Sequence, residues 1–130
     1  MKYLKKYKLF ESYKEILDNI EDIFREIEDV GFRIEYNKGG VDEITKIYIE
    51  KFDANNDSIP YIPNQDFVLA LQHLISYLSK DYDIEIETIH QSQCVDFLST
   101  KDGLTEKDAT IIGDYKAPID YIRIVISNKD

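Results

Sequence analysis

Up to Gly31 the apolar residues of this chain recur every three to four positions, and after it they recur every second position, so an amphipathic helix must run directly into a strand. Over residues 12–30, Tyr13, Ile16, Leu17, Ile20, Ile23, Phe24, Ile27 and Val30 share one side of a helical wheel and the charges share the other. Ser12 and Glu15 have the spacing at which a hydroxyl and a carboxylate each satisfy a free N–H of the first turn. Gly31 supplies the residue best able to turn left-handed and end the helix. Phe32, Ile34 and Tyr36 then alternate with Arg33, Glu35 and Asn37, and Lys38-Gly39-Gly40 offers a hairpin turn into a second strand around Ile44 to Phe52.

The pattern then repeats. Residues 53–63, rich in Asp, Asn and Pro, read as a linker. Asn64 is placed to cap a second helix that reaches about Lys80, with Asp66 where the helix dipole favours an anion. Its buried stripe is Phe67, Ala70, Leu71, Leu74, Ile75 and Leu78, while Leu69 falls on the polar side. Ile84 and Ile86 begin another strand, which changes phase near Thr88 and continues through Val95 and Phe97, and Tyr121 to Ser127 form the last. Residues 99–118 carry turn chemistry, with a short helix from Thr105 or a strand at Ile111-Ile112 as candidate elements. Sliding the chain by 50 residues sets Ile20 over Ala70, Phe24 over Leu74, Phe32 over Tyr82 and Ile34 over Ile84. The expected fold is α+β: two α-β-β units forming one antiparallel sheet with both helices on one face. A further strand at Tyr3 to Leu9 would make it a ferredoxin-like variant. All 130 residues belong to a single domain, divided into a basic arm 1–11, a first unit 12–52, the linker 53–63 and a second unit 64–130.

Cys94 is the only cysteine, which rules out an intramolecular disulfide and favours a reducing cytoplasm. The lysines of MKYLKKYKLF are not followed by the apolar run of roughly 7–15 residues that a signal peptide needs, and no stretch is apolar enough to span a membrane. A net charge of −10 repels phosphate backbones, so no nucleic-acid partner is expected.

Chemistry-bearing motifs are incomplete. Asp53, Asn55 and Asp57 have the spacing of the first ligands of a calcium loop, but Ser58 stands where that loop turns on glycine and Asn64 where it closes with Glu. His90, Ser92 and Cys94 would project from one face of a regular strand, too widely spaced for the imidazole to take the thiol proton, and Cys94 reads as a buried, inert thiol. Gly39-Gly40 lacks the helix and lysine of a phosphate loop. Carboxylate pairs such as Glu85 with Glu87 arise by chance among 26 acids. No catalytic residue, metal site or cofactor is therefore expected.

The outer face of the first helix stands out, with Glu15, Asp18, Asp22, Glu26 and Asp29 relieved only by Lys14 and Arg25. Such a face keeps a domain in solution, and it can also dock on a basic protein patch. Leu69 is the candidate apolar contact.

The opening of the chain, KYLKKYKLFESYKEILDNIEDIFREIEDVGFRIEYN, resembles small uncharacterised proteins of T4-like and related tailed bacteriophages. The likeness lies in the lysine-rich start, Leu-Phe-Glu, the acidic helix and the Gly-Phe step into a strand, and it covers about residues 1–37. It implies a phage or bacterial cytoplasmic setting and carries no activity and no site residues. The leading expectation is a non-enzymatic accessory protein that acts on a host protein through the acidic helix or the loop after Leu98. A small-ligand or nucleotide-binding domain using residues 99–118, and a homo-oligomeric structural component using Leu69 or an exposed sheet face, are the alternatives.

Overall fold

A computed structural model describes residues 18–25, 27–28, 31–37 and 46–128, and it shows an α+β fold. Residues 18–25 and 27–28 are helical and form α1. Ile20, Phe24 and Ile27 are buried there at the spacing the sequence sets. Gly31 follows at φ +100°, a backbone conformation that costs any side chain strain, and its N–H donates to the Glu28 carbonyl at 3.1 Å. The Ser12–Glu15 capping pair, the Lys38-Gly39-Gly40 turn and the Tyr3 to Leu9 strand lie outside the described residues.

β1 (Phe32–Asn37) pairs antiparallel with β2 (Lys46–Phe52), with Phe32, Ile34 and Tyr36 opposite Lys51, Ile49 and Ile47. The segment read as a linker holds a two-residue strand, β3 (Ser58–Ile59), which pairs with β2. Tyr61 then forms a bridge with Ile119 and is buried, its hydroxyl donating to the Ile49 carbonyl at 2.6 Å. Turn composition predicted a connection here, but the buried tyrosine anchors it to the sheet.

α2 (Gln65–Leu78) starts as its sequence dictates, with the Asn64 side chain accepting a hydrogen bond from the Phe67 N–H at 2.9 Å. Phe67, Ala70, Leu71, Leu74, Ile75 and Leu78 are all buried, each large one contributing about 1.5–3 kcal/mol by leaving water. β4 (Tyr82–His90) follows. Tyr82 and Phe32, fifty positions apart, each open the first strand after a helix.

The next step corrects the single kinked strand read through Val95. At Gln91 and Ser92 the chain reverses, both residues having positive φ (52° and 63°), and β5 (Gln93–Ser99) runs back along β4. The phase change near Thr88 is a register shift at Thr88/Ile89, opposite Val95. Two 3₁₀ turns, Thr100–Asp102 and Glu106–Ala109, and a short helix α3 (Thr110–Gly113) fill the segment 99–118. The helix from Thr105 is thus present, and Ile111-Ile112 are helical rather than a strand. β6 (Tyr121–Asn128) then enters between the hairpins, giving the order β1-β2-β6-β4-β5, antiparallel throughout. Each of α1 and α2 is followed by an antiparallel hairpin, and the two hairpins close around β6.

Both helices cover one face. Ile20, Phe24 and Ile27 of α1 and the α2 stripe share a core with Ile47, Ile49, Ile84, Ile86, Ile122, Ile124 and Ile126. The opposite face carries half-buried Tyr48, Tyr121, Arg123 and Glu87, tied by an Arg123–Glu87 ion pair and a Tyr48–Tyr121 ring contact at 6.2 Å. Among the described residues no helix is long and apolar enough to cross a membrane.

Candidate functional site

Where α1 and α2 lie side by side, their outward margins form a groove of about 530 Å³ lined by Asn19, Asp22, Ile23, Asp66, Leu69, Ala70, His73 and Tyr77. Periodicity makes it. Leu69, Ala70, His73 and Tyr77 are three, four, seven and eleven positions along from Asp66, so the five form one stripe at the margin of the buried face of α2. Asn19, Asp22 and Ile23 do the same on α1. The Asn19 side chain donates to the Tyr77 hydroxyl at 2.8 Å and bridges the two helices.

Ile23, Leu69 and Ala70 give the groove its apolar contacts, and Leu69 remains 52 % exposed. Asp22 and Asp66 bring carboxylates to it, one from each helix. Arg25 pairs with Asp22 at 2.7 Å along the same helix, but both side chains stay largely in water, where such a pair is worth little and its charge is readily re-partnered. The combination of an open leucine and two carboxylates suits a cationic, partly apolar segment.

Of the residues singled out from sequence, the structure brings Asp22 and Leu69 together in this groove. Asp18 is exposed on α1 and does not line it, and Glu15, Glu26 and Asp29 lie outside the described residues. Asp66 was read only as an anion favoured by the helix dipole, and Asn19, His73 and Tyr77 were not candidates for a site. Their signal was the misplaced Leu69, since an apolar residue on a polar margin points to its neighbours three and four positions away.

Elsewhere the motifs resolve into structure. Asp53 Oδ1 accepts the N–H groups of Asn55 at 2.9 Å and Asp57 at 3.0 Å, so the calcium-like spacing builds a turn, completed by Asn56 at φ +66°. Among the described residues no group of three or more His, Cys, Asp or Glu is arranged to hold a metal. His90 and Cys94 are not on one regular strand. His90 faces Gln93 across the tight turn, and Cys94 faces Ile89. Cys94 is exposed rather than buried, because the register shift turns it outward, and its thiol donates to the Asp96 carbonyl at 3.3 Å.

Residues 99–118 are held to the core at a few points and are otherwise exposed. Ala109 and Ile112 are buried, and the Tyr115 hydroxyl donates to the Asp96 carboxylate and lies 3.1 Å from the Thr88 hydroxyl. Burial, first, and that bond to Asp96, second, raise the Tyr115 pKa above its ordinary value. Comparison with known protein families, curated proteins and solved structures gives no significant match to this chain.

Proposed function

We propose that this domain is a non-enzymatic binding protein that captures a basic, apolar-anchored segment of a partner protein in the groove between α1 and α2. The observation that carries this reading is the half-exposed Leu69 lining one groove with Asp22 and Asp66. An apolar anchor supplies most of the affinity of such contacts, and the surrounding carboxylates steer the approach and select for positive charge. A net charge of −10 adds a long-range pull on cationic partners. The opening's resemblance to tailed-phage proteins makes a bacterial host protein the partner to seek, with the domain acting as a phage accessory factor.

The test compares capture from bacterial lysate by the parent chain, by Asp22→Lys/Asp66→Lys and by Leu69→Ala. A partner held by the parent at low salt should be released at high salt and lost from the charge-reversed chain. Leu69→Ala should weaken it by about 1–2 kcal/mol, roughly five- to thirtyfold in Kd. Equal capture by all three chains would refute the groove as the site.

A further inference from the structure

The groove between α1 and α2 has helices for walls, and helices restrict what can lie against them. The N–H and C=O groups inside a helix are already bonded to one another, so the walls offer a ligand side chains only. An extended segment laid in the groove points its own N–H and C=O groups sideways into those walls, where they lose water and gain no partner. A helical segment arrives with its backbone bonds made and presents a stripe of side chains instead.

The carboxylates set a spacing. β1 and β4 run in opposite directions, and each follows its helix after a short turn, so α1 and α2 are antiparallel. Asn19 donates to Tyr77 in the last turn of α2, whereas Asp66 lies in its first turn, eleven positions earlier. Asp22 is three positions beyond Asn19, which leaves eight positions, or about 12 Å along the helix axes, between the two carboxylates. Ile23 follows Asp22 and Leu69 is three beyond Asp66, so the apolar contacts fall within that interval. A helix covers about 12 Å in eight residues, and an extended chain covers it in about four. We infer that the groove takes an amphipathic helix of the partner, with apolar residues every three to four positions and a lysine or arginine on each margin of that stripe, two helical turns apart. This inference rests on the reading of the groove as a capture site. Charge complementarity selects the margins, because a carboxylate on each wall meets a cation on each side of the stripe. Arg25 gives up only an exposed pairing when Asp22 takes its new partner.

The experiment uses two peptides of about 16 residues with one composition of Leu, Ala, Gln and two Lys. In the first, Leu recurs every three to four positions and the lysines stand eight apart. In the second, Leu alternates and the lysines stand four apart. Each is titrated into the parent chain and into Asp22→Lys/Asp66→Lys, with anisotropy for affinity, circular dichroism for peptide helix and amide shifts for location. The first peptide should bind the parent about tenfold or more tightly than the second, gain helical signal on binding and shift the amides of Ile23 and Leu69. It should be lost from the charge-reversed chain. Equal binding of the two peptides overturns the helix, and so does binding of neither, whereas the groove itself stands or falls by capture from lysate. Binding of the first peptide that survives charge reversal overturns it as well. Asp22 and Asp66 are both exposed, so the reversed chain should keep its fold. If it does not, the parent decides: shifts that miss Ile23 and Leu69 reject the inference.

Discussion

Gly113 closes α3, and a Cβ built there would lie 2.7 Å from Cγ2 of Val68 on α2, about 0.7 Å inside ordinary contact. Two effects of Gly113→Ala compete. The backbone there is not left-handed, so alanine gains about 0.4–1 kcal/mol by restricting the unfolded chain. Against this, Val68 is buried and β-branched, so its methyl cannot swing clear, and an overfilled contact costs about 1–3 kcal/mol. The overlap wins. The net loss should be about 1–2 kcal/mol, which for 130 residues lowers Tm by about 4–8 °C. A double-mutant cycle in guanidinium isolates the cause. Val68→Ala alone loses about 2 kcal/mol of apolar burial, but in its presence Gly113→Ala should cost nothing, giving a coupling of about 1–2 kcal/mol. Strictly additive losses, or a Tm that rises in Gly113→Ala, would refute the close approach of α3 to α2.

Two further expectations concern polar side chains. Burial is the largest cause raising the pKa values of Tyr36, Tyr61 and Tyr115, aided by Glu28 and Glu21 at the first, Glu50 at the second and the bond to Asp96 at the third. A folded pKa above the unfolded value of about 10 gives stability that is intact below that pH and lost as pH rises, for Tyr61 by up to about 1.4 kcal/mol per pH unit. Phenolate absorbance from these three should appear only as circular dichroism collapses, and ionisation near pH 10 in a folded chain would contradict it. Asn64→Ala removes the cap of α2 and should cost about 1 kcal/mol in thermal unfolding, whereas Asn64→Asp should cost almost nothing. Equal stability of the alanine variant would show that the cap is not needed.

Local grammar made the helices legible. Asn64, Gly31 and the apolar stripes set element type and buried face because each acts within one or two turns of backbone. The β4-β5 reversal was not legible, since Gln91 and Ser92 both take positive φ, a conformation that the usual Asn-Gly or Gly-Gly signal would have announced. Without that signal, the extra residue at Val95 read as a phase slip in one strand. The insertion of β6 between the hairpins was equally hidden, because its isoleucines fit any central position and only long-range pairing chooses among them. For the groove, the sequence showed acidic residues and a stray leucine on separate helices. It could not show that Asp22 and Asp66 face the same space, which depends on how α1 and α2 lie against the sheet.

Charge sets how the groove should respond to solution conditions. Binding of a basic segment near Asp22 and Asp66 is attraction between opposite charges, so salt, which screens over about 8 Å at physiological strength, must weaken it. Nonspecific adhesion to the exposed Leu69 would respond in the opposite sense, since salts excluded from the surface favour apolar burial. Capture that weakens as salt rises, and that is lost when Asp22 and Asp66 are reversed, therefore separates recognition at the groove from adhesion to its leucine alone.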